Sequence, residues 1–429
     1  MPVSGSVWVD ELDRQHDFAE LRVDPGYTAA RLLVTAGGAP VGLVEVDLIA
    51  GVATAAQVRG AVCSRLSHVP DPPPPPTSHD ALTVVIPTRG RAASLQRCVR
   101  AVLAGDHPRV TVLVVDNDPV DDSTFRAVSG LGDDRVRYVH EPRRGASVAR
   151  NRGLWEAATN IVAFLDDDTV PDRYWAARIA GFFALDPALV GVSGPVLAAR
   201  LATPDEIAAD RAVAWNKGFV SRRFSLDDPP TDSAIFPFSP GLFGIGANLA
   251  VRTEVARAVG GFDEALGPGT PTRSGEDCEF LVRLVLAGHR LGYEPAVYVW
   301  HHHRPTTAAL DAQIRGYFIG LGSFLAKIAL DRTARAVAVG RIRAALTQLR
   351  RIRARAVTTD NASSGASLAL LRGLALGSVI YAHPRRAARR SGARIPPLTS
   401  RTPAHLRANG EDVARADPAP SSVEVETAS

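Results

Sequence analysis

From Leu82 onward the chain alternates two hydrophobic patterns. Residues 82–86, 110–115, 136–139, 161–165 and 189–196 are short, nearly unbroken apolar runs, the pattern of strands buried on both faces. Between them, Leu95, Cys98, Val99 and Val102 recur at helical spacing, as do Trp175, Ile179, Phe182 and Phe183. Such spacing marks one apolar helix face. Strands and helices in alternation predict an α/β fold, a mostly parallel sheet with helices on both faces. Further strands are expected over 246–252 and 297–300. A helix opened by Gly275-Glu276-Asp277 should bury Phe280, Leu281, Leu284 and Val285.

The flanks read differently. Residues 1–70 predict a small β-rich N-terminal domain, with strand-like runs at 31–34 and 40–46 joined by a Gly37-Gly38 hairpin turn. Residues 71–79 contain five consecutive prolines, a polyproline II spacer between domains. The main α/β domain then runs over 80–305, its stretch at 200–240 reading as an irregular insertion or lid. Residues 306–384 predict a helical, basic C-terminal region. Leu310, Ile314, Tyr317, Leu321, Phe324 and Ile328 form one stripe. Ile342, Leu346, Leu349 and Ile352 form another, flanked by arginines at 341–355. A basic amphipathic helix suits an anionic membrane surface or a docked, solvated face. The apolar stretch at 368–381 is too short to span a bilayer. Residues 385–429 have the composition of a disordered tail.

Composition narrows the partners. The net charge of +4 over 429 residues is modest, and the arginine excess falls late in the chain. That argues for one local basic surface and against general nucleic-acid binding. Cys63, Cys98 and Cys278 have no paired spacing, which predicts neither a disulfide framework nor a zinc site. No secretory signal is visible, so the expected location is cytoplasmic, with peripheral contact at the inner face of the membrane.

Candidate chemistry gathers where the predicted strands end. Pro87, Thr88 and Arg89 follow the first strand, Asp116 the second, and Asp166, Asp167 and Asp168 the buried run at 161–165. In a parallel sheet these carboxyl ends share one edge, where ligands bind. Three adjacent carboxylates repel one another. They require either full exposure, as a solvated acidic turn, or a cation, for which oxygen ligands favour Mg²⁺ or Mn²⁺ beside a phosphate. Near the C-terminal end of the domain, His301 and His303 fall on one face of a strand and His302 on the other.

The ordered set of motifs resembles the family-2 glycosyltransferases of the GT-A fold. It comprises Val-Ile-Pro-Thr-Arg at 85–89, Val-Val-Asp-Asn at 114–117, Gly-Ala-Ser-Val-Ala-Arg-Asn-Arg-Gly at 145–153 and Phe-Leu-Asp-Asp-Asp at 164–168. Gly-Ala-Asn-Leu-Ala-Val-Arg at 246–252, Gly-Gly-Phe-Asp-Glu at 260–264, Gly-Glu-Asp at 275–277 and the His/Arg cluster at 301–304 complete it. No single piece is specific, but the order is, over about half the chain. The resemblance implies an inverting transfer of a sugar from a nucleotide diphosphate donor to an acceptor hydroxyl of a glycan, glycolipid or cell-envelope precursor. It implies Asp116 on the nucleotide base, Arg150 near the base and diphosphate, Asp166 toward the ribose and Asp168 on the metal. The middle Asp167 is a departure that suits sharing the metal. His301 is either a further metal ligand or a packing histidine.

Asp277 and its neighbour Glu276 carry the catalytic-base expectation, with Asp277 first. Ser274 and Asp277 also have the spacing of a helix capping box. Two other classes stay open. A sugar-nucleotide nucleotidyltransferase would want a Gly-rich phosphate loop after the first strand, of which 87–91 is a poor version. A non-catalytic membrane-surface module would have no use for both Asp168 and Asp277.

Overall fold

The computed structural model describes residues 5–213, 215–239, 241–303, 307–341, 372–381 and 392–398. The second basic stripe, most of the arginines at 341–355, Arg304 and most of the tail lie outside these residues.

The N-terminal unit is built from β1 (Ser6–Asp13), β2 (Leu21–Arg22), β3 (Tyr27–Ala36), β4 (Ala39–Asp47), β5 (Val52–Ala53) and α1 (Ala55–Leu66). Strands β3 and β4 form the expected hairpin, and β1 adds to β3 in parallel. Gly37 and Gly38 both have positive φ, 57° and 77°, the backbone of a two-residue hairpin turn that favours glycine. The helix α1 was not legible as such; its Val58, Val62 and Leu66 close the sheet's apolar face.

The proline segment is no free spacer. It lies along a helix of the main domain: a Cβ on Gly181 would meet the Pro76 carbonyl oxygen at 2.3 Å, and the Ser78 amide donates to the Ala177 carbonyl at 3.0 Å.

The main domain proceeds through β6 (Leu82–Thr88), α2 (Ala92–Leu103), β7 (Val110–Asn117), α3 (Ser123–Ser129), β8 (Val136–Glu141), α4 (Ala146–Glu156) and β9 (Ile161–Leu165). Next come β10 (Thr169–Pro171), α5 (Trp175–Leu185), β11 (Leu189–Ser193), β12 (Val196–Ala198), α6 (Pro204–Val213), β13 (Arg222–Phe224) and β14 (Asn248–Arg252). It ends with α7 (Thr253–Ala258), α8 (Glu276–Leu286), β15 (Arg290–Tyr293) and β16 (Val299–His301). Eight strands form one sheet in the order β13-β15-β11-β14-β9-β6-β7-β8. The β15–β11, β9–β6, β6–β7 and β7–β8 pairings are parallel, whereas β14 runs antiparallel to both β9 and β11, and β13 antiparallel to β15. This is the mostly parallel, helix-flanked sheet that the hydrophobic pattern predicts. The run at 189–196 splits: β11 stays in the large sheet, while β12 joins β10 and β16 in a small one.

Every residue of β9 is buried, so the polarity change at Asp166 marks the edge of the core. The insertion at 200–240 contains α6 and β13, and its Phe236 and Phe238 enter the main core. Beyond the sheet, α9 (Thr307–Leu330), α10 (Arg332–Val339) and a helix over residues 372–381 pack on the domain. Glycines permit the contact: a Cβ on Gly377 would meet the Ile319 carbonyl oxygen at 2.0 Å, and one on Gly322 that of Leu374 at 2.3 Å. Among the described residues no helix is long and apolar enough to cross a membrane.

Candidate active site

The carboxyl ends of β6, β7 and β9 meet on one edge, and the helices α2, α4 and α8 aim side chains into it. Asp116, the penultimate residue of β7, is fully buried. The Tyr138 hydroxyl donates to its Oδ2 at 2.9 Å, while its Oδ1 is buried without a hydrogen bond. Burial pushes this carboxyl up from its ordinary value.

The Asp triplet is not a solvated turn, since Asp167 and Asp168 are buried. The positive group among them is Arg91, the residue that leads into α2. It donates to Asp167 Oδ1 at 2.5 Å and Asp168 Oδ2 at 2.8 Å. Thr88 adds a hydroxyl bond to Asp167 Oδ2 at 2.6 Å. Burial, joined by the charges of Asp168 and Asp166, pushes Asp167 up to about 6 against the pull of Arg91. Burial would likewise raise Asp168, but His301 and Arg91 outweigh it and hold that carboxyl well below the usual range.

Arg89, expected at the nucleotide, pairs with Asp118 at 2.9 Å on a half-exposed rim of the same edge. Pro87 stays within β6 as part of the strand. Arg91 is not legible as a site residue in the sequence, because an arginine at a helix start reads as a solvated charge. The second arginine of Arg89-Gly90-Arg91, just past a strand end, was the available signal.

Arg150 is the hub. It lies on α4, which reaches β6 closely because Gly153 leaves room for Val85; a Cβ there would sit 2.3 Å from Val85 Cγ1. Almost fully buried, Arg150 donates to Asp166 Oδ1 at 2.9 Å and to Glu276 Oε1 at 2.7 Å. The next residue in the motif fixes the loop opposite. Asn151 accepts from the Phe262 amide at 2.7 Å and donates to the Phe262 carbonyl at 2.9 Å. The motifs at 145–153 and 260–264 therefore close on each other.

Helix α8 starts at Glu276, after Gly275 in the left-handed region at φ 95°. No capping box forms: the Ser274 hydroxyl donates to the Gly316 carbonyl instead. Asp277, half-buried, accepts from the Gly246 amide at 2.9 Å through Oδ2. Glu276 is buried. Burial and the adjacent Asp277 charge push its carboxyl up to about 7, against the pull of Arg150. Asp166, Glu276 and Asp277 crowd one guanidinium, and buried Glu276 is the one held toward its protonated form.

His301 ends β16, which pairs with β10 just after the triplet. Its Nε2 is 3.2 Å from Asp168 Oδ1. Asp168 Oδ1 and His301 Nδ1 are both buried without a hydrogen bond. Among the described residues no group of three or more His, Cys, Asp or Glu converges on one point. A carboxylate oxygen and an imidazole nitrogen side by side nonetheless fit a divalent ion whose shell is completed by phosphate oxygens and water.

With this geometry in place, the comparisons with known proteins are informative. Residues 83–244 match the model of glycosyl transferase family 2. A "Pre-mycofactocin glycosyltransferase" of Mycobacterium tuberculosis is 32% identical over 66% of this chain and 57% of its own length. The chain thus spans little more than half of that relative. "Glycosyltransferase AglE" of Haloferax volcanii is 27% identical over 54% of this chain and 71% of that one. "Succinoglycan biosynthesis protein ExoM" of Rhizobium meliloti is 27% identical over 54% and 68%. A mannosyltransferase from Pyrobaculum calidifontis, solved with GDP-Man and Mn²⁺, covers 76% of this chain and 92% of its own at 21% identity and a TM-score of 0.45.

Proposed function

We propose that this chain transfers a sugar, with inversion, from a nucleoside diphosphate donor to an acceptor hydroxyl, and that it requires Mg²⁺ or Mn²⁺. The observation that carries the reading is Arg150, which joins Asp166 at the end of β9 to Glu276 at the start of α8. One guanidinium ties the donor-side carboxylates to the helix bearing the base.

In this reading Asp116 accepts from the nucleotide base through its unpartnered Oδ1, and Asp166 faces the ribose. Asp168 and His301 hold the ion, with Asp167 beside them. When bound, the ion supplies Lewis-acid stabilisation of the departing diphosphate. Asp277 is the general base. Its half-exposed carboxylate, oriented by the Gly246 amide, takes the acceptor proton as the acceptor oxygen bonds to the anomeric carbon and the diphosphate leaves with the bonding electrons. Glu276, turned about 100° away around the helix and sequestered by Arg150, positions that guanidinium.

The acceptor proposed is a glycan, glycolipid or cell-envelope precursor. Contact with an anionic membrane face is proposed from the 372–381 helix, where Arg372 lies beside Leu376 and Val379, 49% and 72% exposed. Incubation with a panel of nucleotide sugars tests the reaction. Nucleoside diphosphate release that stops on chelation is the expected result. Pyrophosphate release would indicate nucleotidyl transfer instead, and full activity after exhaustive chelation would remove the metal role.

A further inference from the structure

Between the N-terminal unit and the main domain lies a cavity of ≈ 200 Å³. Its position is fixed, because the two units are bound at several points. The Val7 amide donates to the Leu201 carbonyl at 2.8 Å, the Arg178 guanidinium to the Gly38 carbonyl at 2.8 Å, and the Tyr298 hydroxyl to Glu11 at 2.8 Å. This cavity is separate from the edge that gathers Asp116 to Asp277, yet the two share a wall.

That wall is Trp215. Its ring meets His301 edge-on, with centroids 4.7 Å apart, and lies tilted against His303 at 5.7 Å. His301 in turn touches Asp168. Two direct contacts therefore lead from the cavity to the ion-binding carboxylate.

The lining combines two chemistries. Trp215 and Trp300 present indole surface, while Arg31, Asp210, His303 and Asn216 present donors and acceptors. Asp210 is held between Arg31 Nη1 at 2.5 Å and His303 Nε2 at 3.4 Å. A pyranose asks for this mixture: its C–H faces stack on the electron-rich aromatic face, and its hydroxyls both donate to a carboxylate and accept from a guanidinium or amide. A purely apolar group would strip water from the Arg31–Asp210 pair without replacing it. The volume lies below the roughly 300–1,000 Å³ of sites for drug-sized ligands, which limits the occupant to about one ring.

We propose that this cavity is a saccharide subsite that takes one sugar ring of the acceptor; the proposal rests on the glycosyltransferase reading above. Arg31 and Leu43 come from the N-terminal unit, so that unit, which carries no catalytic constellation of its own, would help select the acceptor. The test uses the full chain and methyl glycosides of glucose, galactose, mannose, N-acetylglucosamine and glucuronic acid, titrated by saturation-transfer NMR. At least one should bind, and Asp210→Asn and Asn216→Ala should each weaken it at least about tenfold, the loss expected for a hydrogen bond to or near a charged group. Should Asp210→Asn fail to fold, Asn216→Ala and Trp215→Phe carry the test. Stabilisation by nucleoside diphosphate and Mn²⁺, measured on the same samples, reports separately on the glycosyltransferase reading. No binding of any glycoside by the unmodified chain, or binding undiminished in every folded variant, overturns the subsite.

Discussion

Two clusters of charge adjoin α8 and are built to opposite rules. At its start, Asp166, Asp167, Asp168, Glu276 and Asp277 face, among the described residues, the cationic or titratable partners Arg91, Arg150 and His301. Further along, Asp263 and Glu279 face Arg283 and Lys327. Lys327 Nζ reaches Asp263 at 2.7 Å and Glu279 at 2.8 Å, Arg283 reaches Glu279 at 2.8 Å, and the Tyr381 hydroxyl adds 2.8 Å to Asp263. Among the described residues, five buried side-chain polar atoms lack a hydrogen bond; Asp116, Arg150, Asp168 and His301 supply four of them and the second cluster none. Balanced, satisfied charges of this kind hold an assembly together, here the C-terminal helices on the main domain. A cluster with surplus carboxylates and orphaned atoms is an incomplete shell, and its completion is left to a ligand.

The contrast can be broken first at its functional end. Asp277→Asn should leave nucleotide binding intact and lower turnover by at least about a hundredfold, the lower range for loss of a general base. Steady-state kinetics with the active donor check this. Near-normal turnover, with Glu276→Gln inactive instead, would move the base one residue back.

At the other cluster the prediction concerns the fold. Lys327→Met leaves two buried carboxylates to one guanidinium, and removing one partner of such a network costs about 3–5 kcal/mol. Urea denaturation should show that loss, while the variant, where folded, keeps its nucleotide affinity. Equal loss of nucleotide binding would merge the two clusters into one functional unit.

A smaller effect separates them by pH. Glu276 holds its proton up to about 7 in the fold against 4.5 as the ordinary value. The native state therefore binds more protons than the unfolded chain across that interval. The stability this confers is full below about pH 4.5 and is lost as pH rises toward 7. Thermal midpoints between pH 4.5 and 7 should fall less steeply in Glu276→Gln than in the unmodified chain. An unchanged slope would place the proton elsewhere.

The smallest expected effect is at the membrane. Basic residues near an anionic surface contribute about 1 kcal/mol each, so co-sedimentation with phosphatidylserine vesicles should be present at low salt and weaken as salt rises. Absence of binding at low salt would refute surface attachment.

What could be read from the chain beforehand follows the range of the interactions involved. The strand β9 and its acidic end were legible because five apolar residues and three aspartates are adjacent in sequence. The helix faces of α2, α5 and α8 were legible from their spacing. Arg91 was not, because only the fold turns it from solvent toward Asp167 and Asp168. The Asp263–Lys327 cluster was not, because those two residues are 64 apart and a lysine beside an apolar stripe gives no sign of its partner. Asp210 lies on α6 and Trp215 just beyond it, and their convergence with Arg31 joins residues far apart in the chain across the unit boundary, so it leaves no local signal. Ser274 and Asp277 had capping-box spacing, yet Gly275 took the cap position and freed Asp277 to meet Gly246.

The most direct test of the incomplete shell is thermal stabilisation of the full chain by nucleoside diphosphates with and without Mn²⁺, compared between the unmodified protein and Asp168→Asn. Ligand that binds only the folded state raises its stability by mass action. The account predicts that at least one of UDP, GDP, ADP, CDP or dTDP stabilises the unmodified chain in a Mn²⁺-dependent manner, and that Asp168→Asn folds but loses the Mn²⁺-dependent part. No stabilisation by any of them, or the same Mn²⁺-dependent shift in Asp168→Asn, would contradict it.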